Sequence, residues 1–274
     1  MAAVLFDSSR GLVEYSYTGN GPVILLLKGG YSSRSTDLSH SSLIYEGYSL
    51  LTISRPGYDR TETSAGRSSE EFADTIVEIL DHLNIDQVDV IAISAAGPTG
   101  IALSVRHSDR VRKLILEAAL TSPLHFPLQQ RKNWVSGNLD RFIWKSRRWL
   151  LRLSPNFAMK QVLKSLTTES AEDYMKSLTP NDRRFINEMI RTSQAGKGLL
   201  IDREHRVPEL SQVKAPVLGM YAQKDKSISY SNALLLQSNV PECEIYDVPS
   251  NSHLIWIGKQ APHVWNKRLE FLNR

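Results

Sequence analysis

The sequence predicts an α/β fold: a mostly parallel central sheet with helices on both faces, interrupted by an all-helical insert. Three observations predict it. Short solid apolar runs such as Val23–Leu27 and Val88–Ile93 mark strands buried on both faces. Helical patterns separate these runs, as parallel strands require of their crossovers. The rhythm stops near Thr121 and resumes at Ala215, so the stretch between them stands outside the sheet.

The elements follow in order. Leu12–Tyr17 alternates partly with period two, and Val23–Leu27 is the first solid run. Gly29-Gly30 and then Arg34–Tyr45 form a loop leading to a short helix, and Tyr48–Ile53 is the next buried strand. Ser68 or Ser69 caps a helix reaching about Leu83, with Glu70 and Glu71 in its first turn and Phe72, Ile76, Ile79, Leu80 and Leu83 on one face. Val88–Ile93 is a strand, Ala95–His107 a helix and Lys113–Leu116 a strand. Residues 121–205 hold no convincing buried strand. Helical spacing runs through Trp134–Leu153 and Ala171–Met189, and Pro123, Pro127, Pro155 and Pro180 divide the segment. Pro216–Tyr221 and Glu244–Val248 are the last strands, with helices at Tyr230–Gln237 and Trp256–Leu272. The expected organisation is 1–120 and 206–274 as two parts of one core, with 121–205 inserted between them.

At 274 residues, 41% hydrophobic and 23% charged, the chain has globular composition and a core that needs neither disulfide nor metal. Cys243 is the single cysteine, which rules out an intrachain disulfide and favours a reducing compartment. The first ten residues lack a basic region followed by a long apolar one, so no secretory signal is expected. No apolar run approaches the roughly 20 residues of a membrane span. The expected location is the cytoplasm, without stable membrane insertion. The net charge of +4 and pI near 9.1 read as a solvated basic surface, and no nucleic-acid motif accompanies them. Trp134, Trp144 and Trp149 among basic residues read as an insert helix with one face on the core and one in water. No metal-ligand spacing and no Gly-x-Gly-x-x-Gly occurs, and Gly196-Lys197-Gly198 lacks the rest of a phosphate loop and reads as a flexible turn. No cofactor is expected.

Chemistry concentrates at strand ends. Ser94 closes the Val88–Ile93 run and is followed at once by a helix, inside Ala92-Ile93-Ser94-Ala95-Ala96. A serine on such a corner sits on a tight turn, its hydroxyl projecting beside backbone N–H groups. Small neighbours let the strand bend and the helix pack close, and Pro98 early in that helix loses no needed N–H. Of the seven histidines, His253 alone follows a strand at the sheet's carboxyl end. His82 and His107 belong to one helix and the end of another, His40 and His263 to outer helices, and His125 and His205 to the insert or its edges. Asp225 follows the Pro216–Tyr221 strand and could orient an imidazole. Asp247, within a strand, and Glu117, at the end of another, are its rivals. An oxyanion hole would take the Ala95 N–H and one from the Gly29-Gly30 loop, expected from Gly30 with Tyr31 as the fallback.

These features together resemble an α/β-hydrolase with a helical cap. Lys28-Gly29-Gly30, Ser54-Arg55-Pro56-Gly57-Tyr58, the elbow at Ser94, Gly97-Pro98-Thr99 and the order Ser94, Asp225, His253 carry the resemblance, which spans nearly the whole chain. It implies Ser94 as nucleophile, Asp225 as acid, His253 as base, residues 121–205 as the cap and Ser54–Tyr58 as a structural turn. Two departures stand out. Ala92 and Ala96 replace the elbow's usual glycines, and Lys28 stands where the family has histidine. Lys28 could support the loop or place a cation near a developing oxyanion, and the supporting role is expected.

The function implied is hydrolysis of a carboxylic ester or related small acyl compound through an acyl-enzyme. Alternatives on the same fold are a prolyl iminopeptidase, which would need acidic cap residues such as Glu172, Asp173 or Glu188, a carbon–carbon bond hydrolase, or a non-catalytic small-molecule receptor.

Overall fold

The computed structural model of the chain describes residues 2–122, 137–194 and 197–274. Pro123, His125, Pro127, Trp134 and Gly196, with the side chain of Trp144, lie outside the described residues.

Eight strands form one sheet: β1 Val4–Ser8, β2 Gly11–Thr18, β3 Val23–Leu27, β4 Ser49–Ile53, β5 Val88–Ile93, β6 Val111–Glu117, β7 Val217–Tyr221 and β8 Cys243–Asp247. Their spatial order is β1-β2-β4-β3-β5-β6-β7-β8. The first two pairings are antiparallel and all others parallel. The sequence reading did not anticipate β1. It is a short edge strand whose residues are mostly exposed or half-buried, so it carries no alternating apolar signal.

Strand periodicity builds two cores. Leu25, Leu27, Val90, Ala92, Leu114 and Leu116 face one layer, while Ile24, Leu26, Ile91, Ile93 and Ile115 face the other. The first layer is closed by α1 (Ser69–His82) and α2 (Gly97–Arg106), through residues such as Phe72, Ile76 and Ile101. The α1 start is the expected one, with Ser68 Oγ accepting the Glu71 N–H at 3.2 Å.

Between β6 and β7, the described helices are α3 (Gly137–Leu153), α4 (Pro155–Leu163), α5 (Ala171–Ser177), α6 (Pro180–Thr192) and α7 (Gly198–Glu204). After β7 come α8 (Ser231–Asn239), packed in the first layer, and α9 (Ala261–Leu272), packed with α4 and α6 in the second.

As expected, Pro180 divides the periodic stretch Ala171–Met189, with Leu178 and Thr179 extended before it. Thr179 and Asp182 then form a reciprocal cap on α6. Two expectations need correction. The last helix starts at Ala261 rather than Trp256. Leu254–Ile257 are buried core residues, and Gly258 takes φ 81° before the helix begins. Gly198 is no flexible turn, since it opens α7 and lies against the Tyr58 ring, 2.3 Å from where a Cβ would sit.

Candidate active site

The strand order reverses direction between β3 and β5. In open α/β sheets a crevice forms at the carboxyl ends of such strands. Gly29-Gly30 leave β3 and Ser94 leaves β5 at that edge, and Asp225 and His253 follow the same ends of β7 and β8.

Ser94 has φ 52°, a left-handed conformation that a residue with a side chain rarely adopts. The surroundings hold it there. Leu120 N–H donates to Ser94 O at 2.9 Å, and a Cβ on Gly97 would lie 2.1 Å from Leu120 O, so only glycine fits behind the elbow. Ala92 is tolerated because Gly100 faces it: a Cβ on Gly100 would stand 2.7 Å from the Ala92 methyl.

The glycine loop lies directly on the elbow. A Cβ on Gly29 would be 2.8 Å from Ser94 Cβ, and one on Gly30 would be 3.6 Å from Ala95 Cβ. Tyr31, the alternative oxyanion donor, has φ 61°, and its N–H already donates to Tyr58 Oη at 3.4 Å.

Asp225 and His253 meet. The imidazole Nδ1–H donates to Asp225 Oδ2 at 2.6 Å, which leaves Nε2 as the ring nitrogen able to exchange a proton. Asp225 Oδ1 accepts the Ser227 and Ile228 amides at 2.7 and 3.0 Å, so the carboxylate is fixed from both sides. The Trp256 ring packs edge-on to the imidazole, at 86° and 6.4 Å between centroids.

The rival acids are committed elsewhere. Asp247 is exposed at the end of β8 and accepts from the Gln223 side chain. Glu117 is fully buried and accepts from Arg268 Nε at 2.7 Å, His40 Nε2 at 2.9 Å and the Trp256 indole N–H. Burial pushes this carboxyl up, but Arg268 and His40 outweigh burial and hold it far below the usual carboxylate range. His40 is thus no outer-helix residue. It is fully buried in a 3₁₀ turn, where desolvation lowers the imidazole below its ordinary value and Glu117 partly offsets the fall. Cys243 is no competing nucleophile, since burial and then Glu244 push its thiol up to about 11.

Lys28 supports the loop by an unforeseen route. Among the described residues its Nζ pairs with no carboxylate, and the residue is buried. It donates to the carbonyls of Arg34, at 2.6 Å, and Thr36, bracing the segment that follows the glycines. Burial lowers its amine to about 8, with Asp37 partly offsetting the fall.

Arg55 and Tyr58 do more than make a turn. Arg55 Nε donates to Lys28 O at 2.6 Å, and its two terminal nitrogens grip Asp202 of α7, with Nη2 at 3.0 Å. Tyr58 Oη donates to the same carboxylate at 2.7 Å while accepting from Tyr31 N–H. One buried cluster therefore joins the glycine loop, the turn after β4 and the insert. Sequence reasoning missed Asp202, because a buried charge reads like a surface charge and its partner lies 147 residues away. The candidate acidic residues of the insert are each paired at the surface, Glu172 with Lys160, Asp173 with Lys176 and Glu188 with Arg191.

Among the described residues, no helix is long and apolar enough to cross a membrane.

The sequence model of a family described as alpha/beta hydrolase fold matches residues 22–258. The chain is 31% identical to the Uncharacterized hydrolase YcgS of Bacillus subtilis (strain 168), over 98% of this chain and 97% of that one. It is 24% identical to a 2-hydroxy-6-oxononadienedioate/2-hydroxy-6-oxononatrienedioate hydrolase of Burkholderia vietnamiensis, over 99% of this chain and 94% of that one. Among solved structures it resembles an alpha/beta hydrolase fold protein from Nakamurella multipartita, with a TM-score of 0.83, 22% identity and 98% of each chain covered.

Proposed function

The chain belongs to the alpha/beta hydrolase fold family and is a hydrolase, and from that premise we propose that it is a serine hydrolase acting on a carboxylic ester or a similar small acyl compound. The observation that carries the reading is the 2.6 Å bond between Asp225 and His253, on the same sheet edge as a serine held at φ 52°.

In this reading, His253 Nε2 accepts the Ser94 proton as Oγ attacks the acyl carbon. Asp225 fixes the tautomer and stabilises the imidazolium that forms. The Gly30 and Ala95 N–H groups receive the oxyanion, and the occupied Tyr31 amide favours Gly30 over it. The imidazolium returns its proton to the leaving group. Water activated by the same imidazole then frees the acyl group from Ser94. The helical insert at 121–205 acts as the cap that shapes the substrate space. The reaction draws on no cofactor, and the substrate is a small molecule.

A second reading, hydrolysis of a 2-hydroxy-6-oxo dienedioate, is favoured by the Burkholderia relative, which matches over nearly its whole length. The iminopeptidase alternative loses support, because Glu172, Asp173 and Glu188 already pair with neighbouring cations.

The test is labelling by an organophosphonate probe, with Ser94→Ala as control, beside a panel of short and long acyl esters, a prolyl amide and the oxo-dienedioate. Probe on Ser94 and ester turnover support the proposal. Full labelling of Ser94→Ala, or tight binding of panel members without turnover, overturns it.

A further inference from the structure

The pair that holds the proton chemistry is built from two loops, one after β7 and one after β8, and a third segment crosses both. This segment, residues 164–168, follows α4, whose Ala158, Met159, Val162 and Leu163 are buried in the core. On one side it meets the acid loop: Lys226 Nζ donates to Lys164 O at 2.8 Å and Ser227 Oγ to Ser165 O at 3.1 Å. On the other it meets the histidine loop. The His253 N–H itself donates to Leu166 O at 2.8 Å, and Thr168 N–H donates to Asn251 O at 3.2 Å.

Thr167 stands at the centre. It is 1% exposed and forms backbone bridges to both Asp225 and Ser252. Its own N–H donates to Leu163 O at 3.0 Å, which ties it to the end of α4. Its Oγ1 donates to Asn251 O at 2.8 Å and accepts the Glu169 N–H at 3.2 Å.

Resting on the hydrolase reading above, we propose that Thr167 is a positioning residue, which sets the spacing of the Asp225 and His253 loops from the insert. The physical reason is the tolerance of the pair. A misplacement of about 1 Å costs catalysis on the order of 100-fold, and neither loop is a strand or helix that fixes its own position. The main chain of residues 164–168 supplies the missing rigidity, anchored through α4. The insert on this side is therefore part of the site's floor. Lifting it would break the His253 main-chain bond to Leu166.

The experiment compares wild type, Thr167→Val and Thr167→Ser by the rate of organophosphonate capture at Ser94 and by kcat and KM on an ester. Valine keeps the shape and removes the hydroxyl, while serine keeps the hydroxyl. Thr167→Val should lose about tenfold in capture rate and kcat with KM nearly unchanged, and Thr167→Ser should restore both. Val and Ser variants of equal kcat overturn the inference, as does a loss carried by KM alone. If Thr167→Val fails to fold, the surface double variant Lys226→Ala/Ser227→Ala carries the test: lowered kcat at constant KM supports the inference, and wild-type kcat overturns it. A wild-type protein that is not captured at Ser94 overturns the hydrolase reading and this inference with it, whereas normal capture in every variant overturns this inference alone.

Discussion

Asp225 gives one carboxylate oxygen to His253 and the other to its own turn: Oδ2 lies 2.6 Å from Nδ1, and Oδ1 accepts the Ser227 and Ile228 amides at 2.7 and 3.0 Å. The two oxygens have separable roles, one local and structural, the other directed at the imidazole.

Asp225→Asn should separate those roles. The amide oxygen can keep both turn bonds, while the NH2 faces Nδ1 and drives the ring proton to Nε2, where it blocks base action. We expect kcat to fall by roughly 10³- to 10⁴-fold with the fold intact. Steady-state ester kinetics beside far-UV circular dichroism measure this, and a near-normal kcat would remove Asp225 from the mechanism.

Glu117→Gln should behave in the opposite way. It leaves the Arg268 guanidinium fully buried without its counter-charge, a loss of about 3–5 kcal/mol. Turnover of the molecules that remain folded should stay of the same order as wild type. Urea denaturation and ester kinetics check both halves; stability equal to wild type would mean that the buried pair contributes nothing.

The Arg55–Asp202 pair predicts a strong coupling. Asp202→Leu strands a buried cation and should cost about 3–5 kcal/mol, while Arg55→Met/Asp202→Leu should cost less than Asp202→Leu or Arg55→Met alone. Denaturation midpoints of the four proteins complete the cycle, and simple additivity would refute the coupling.

Lys28 predicts a pH dependence of known sign. The amine sits near 8 when folded and at 10.5 when unfolded, so between those values the unfolded chain binds the extra proton and stability rises with pH. Each unit of difference corresponds to about 1.4 kcal/mol, and the neutral amine can still donate to both carbonyls. Relative to Lys28→Met, the wild type should gain stability from pH 8 to 10. Parallel curves for the two proteins would exclude the effect. Lys28→His should keep turnover within a few-fold. A loss beyond roughly 100-fold, the scale of an oxyanion donor, would give Lys28 a direct part in the chemistry.

Much of the fold was legible because burial on both faces leaves a local trace. β3 and β5 match their apolar runs residue for residue, and a serine at 68 or 69 followed by Glu70 and Glu71 marked the start of α1. Elements whose cause is not periodic were illegible. β1 is held by pairing with β2, and the helix expected from Trp256 starts late because Leu254–Ile257 serve the core as an irregular chain.

Read alone, the sequence determined the layered α/β architecture and placed Ser94, Asp225 and His253 each just after a strand. Those features follow from short-range pattern, since strand and helix periods repeat within a few residues. Tertiary structure alone decided which carboxylate meets His253, that Lys28 braces carbonyls, that Asp202 bonds Arg55 and Tyr58, and that the segment around Thr167 bonds the loops carrying Asp225 and His253. These depend on contacts between residues far apart in the chain, and on the cost of burying a charge, which only its folded neighbours can offset.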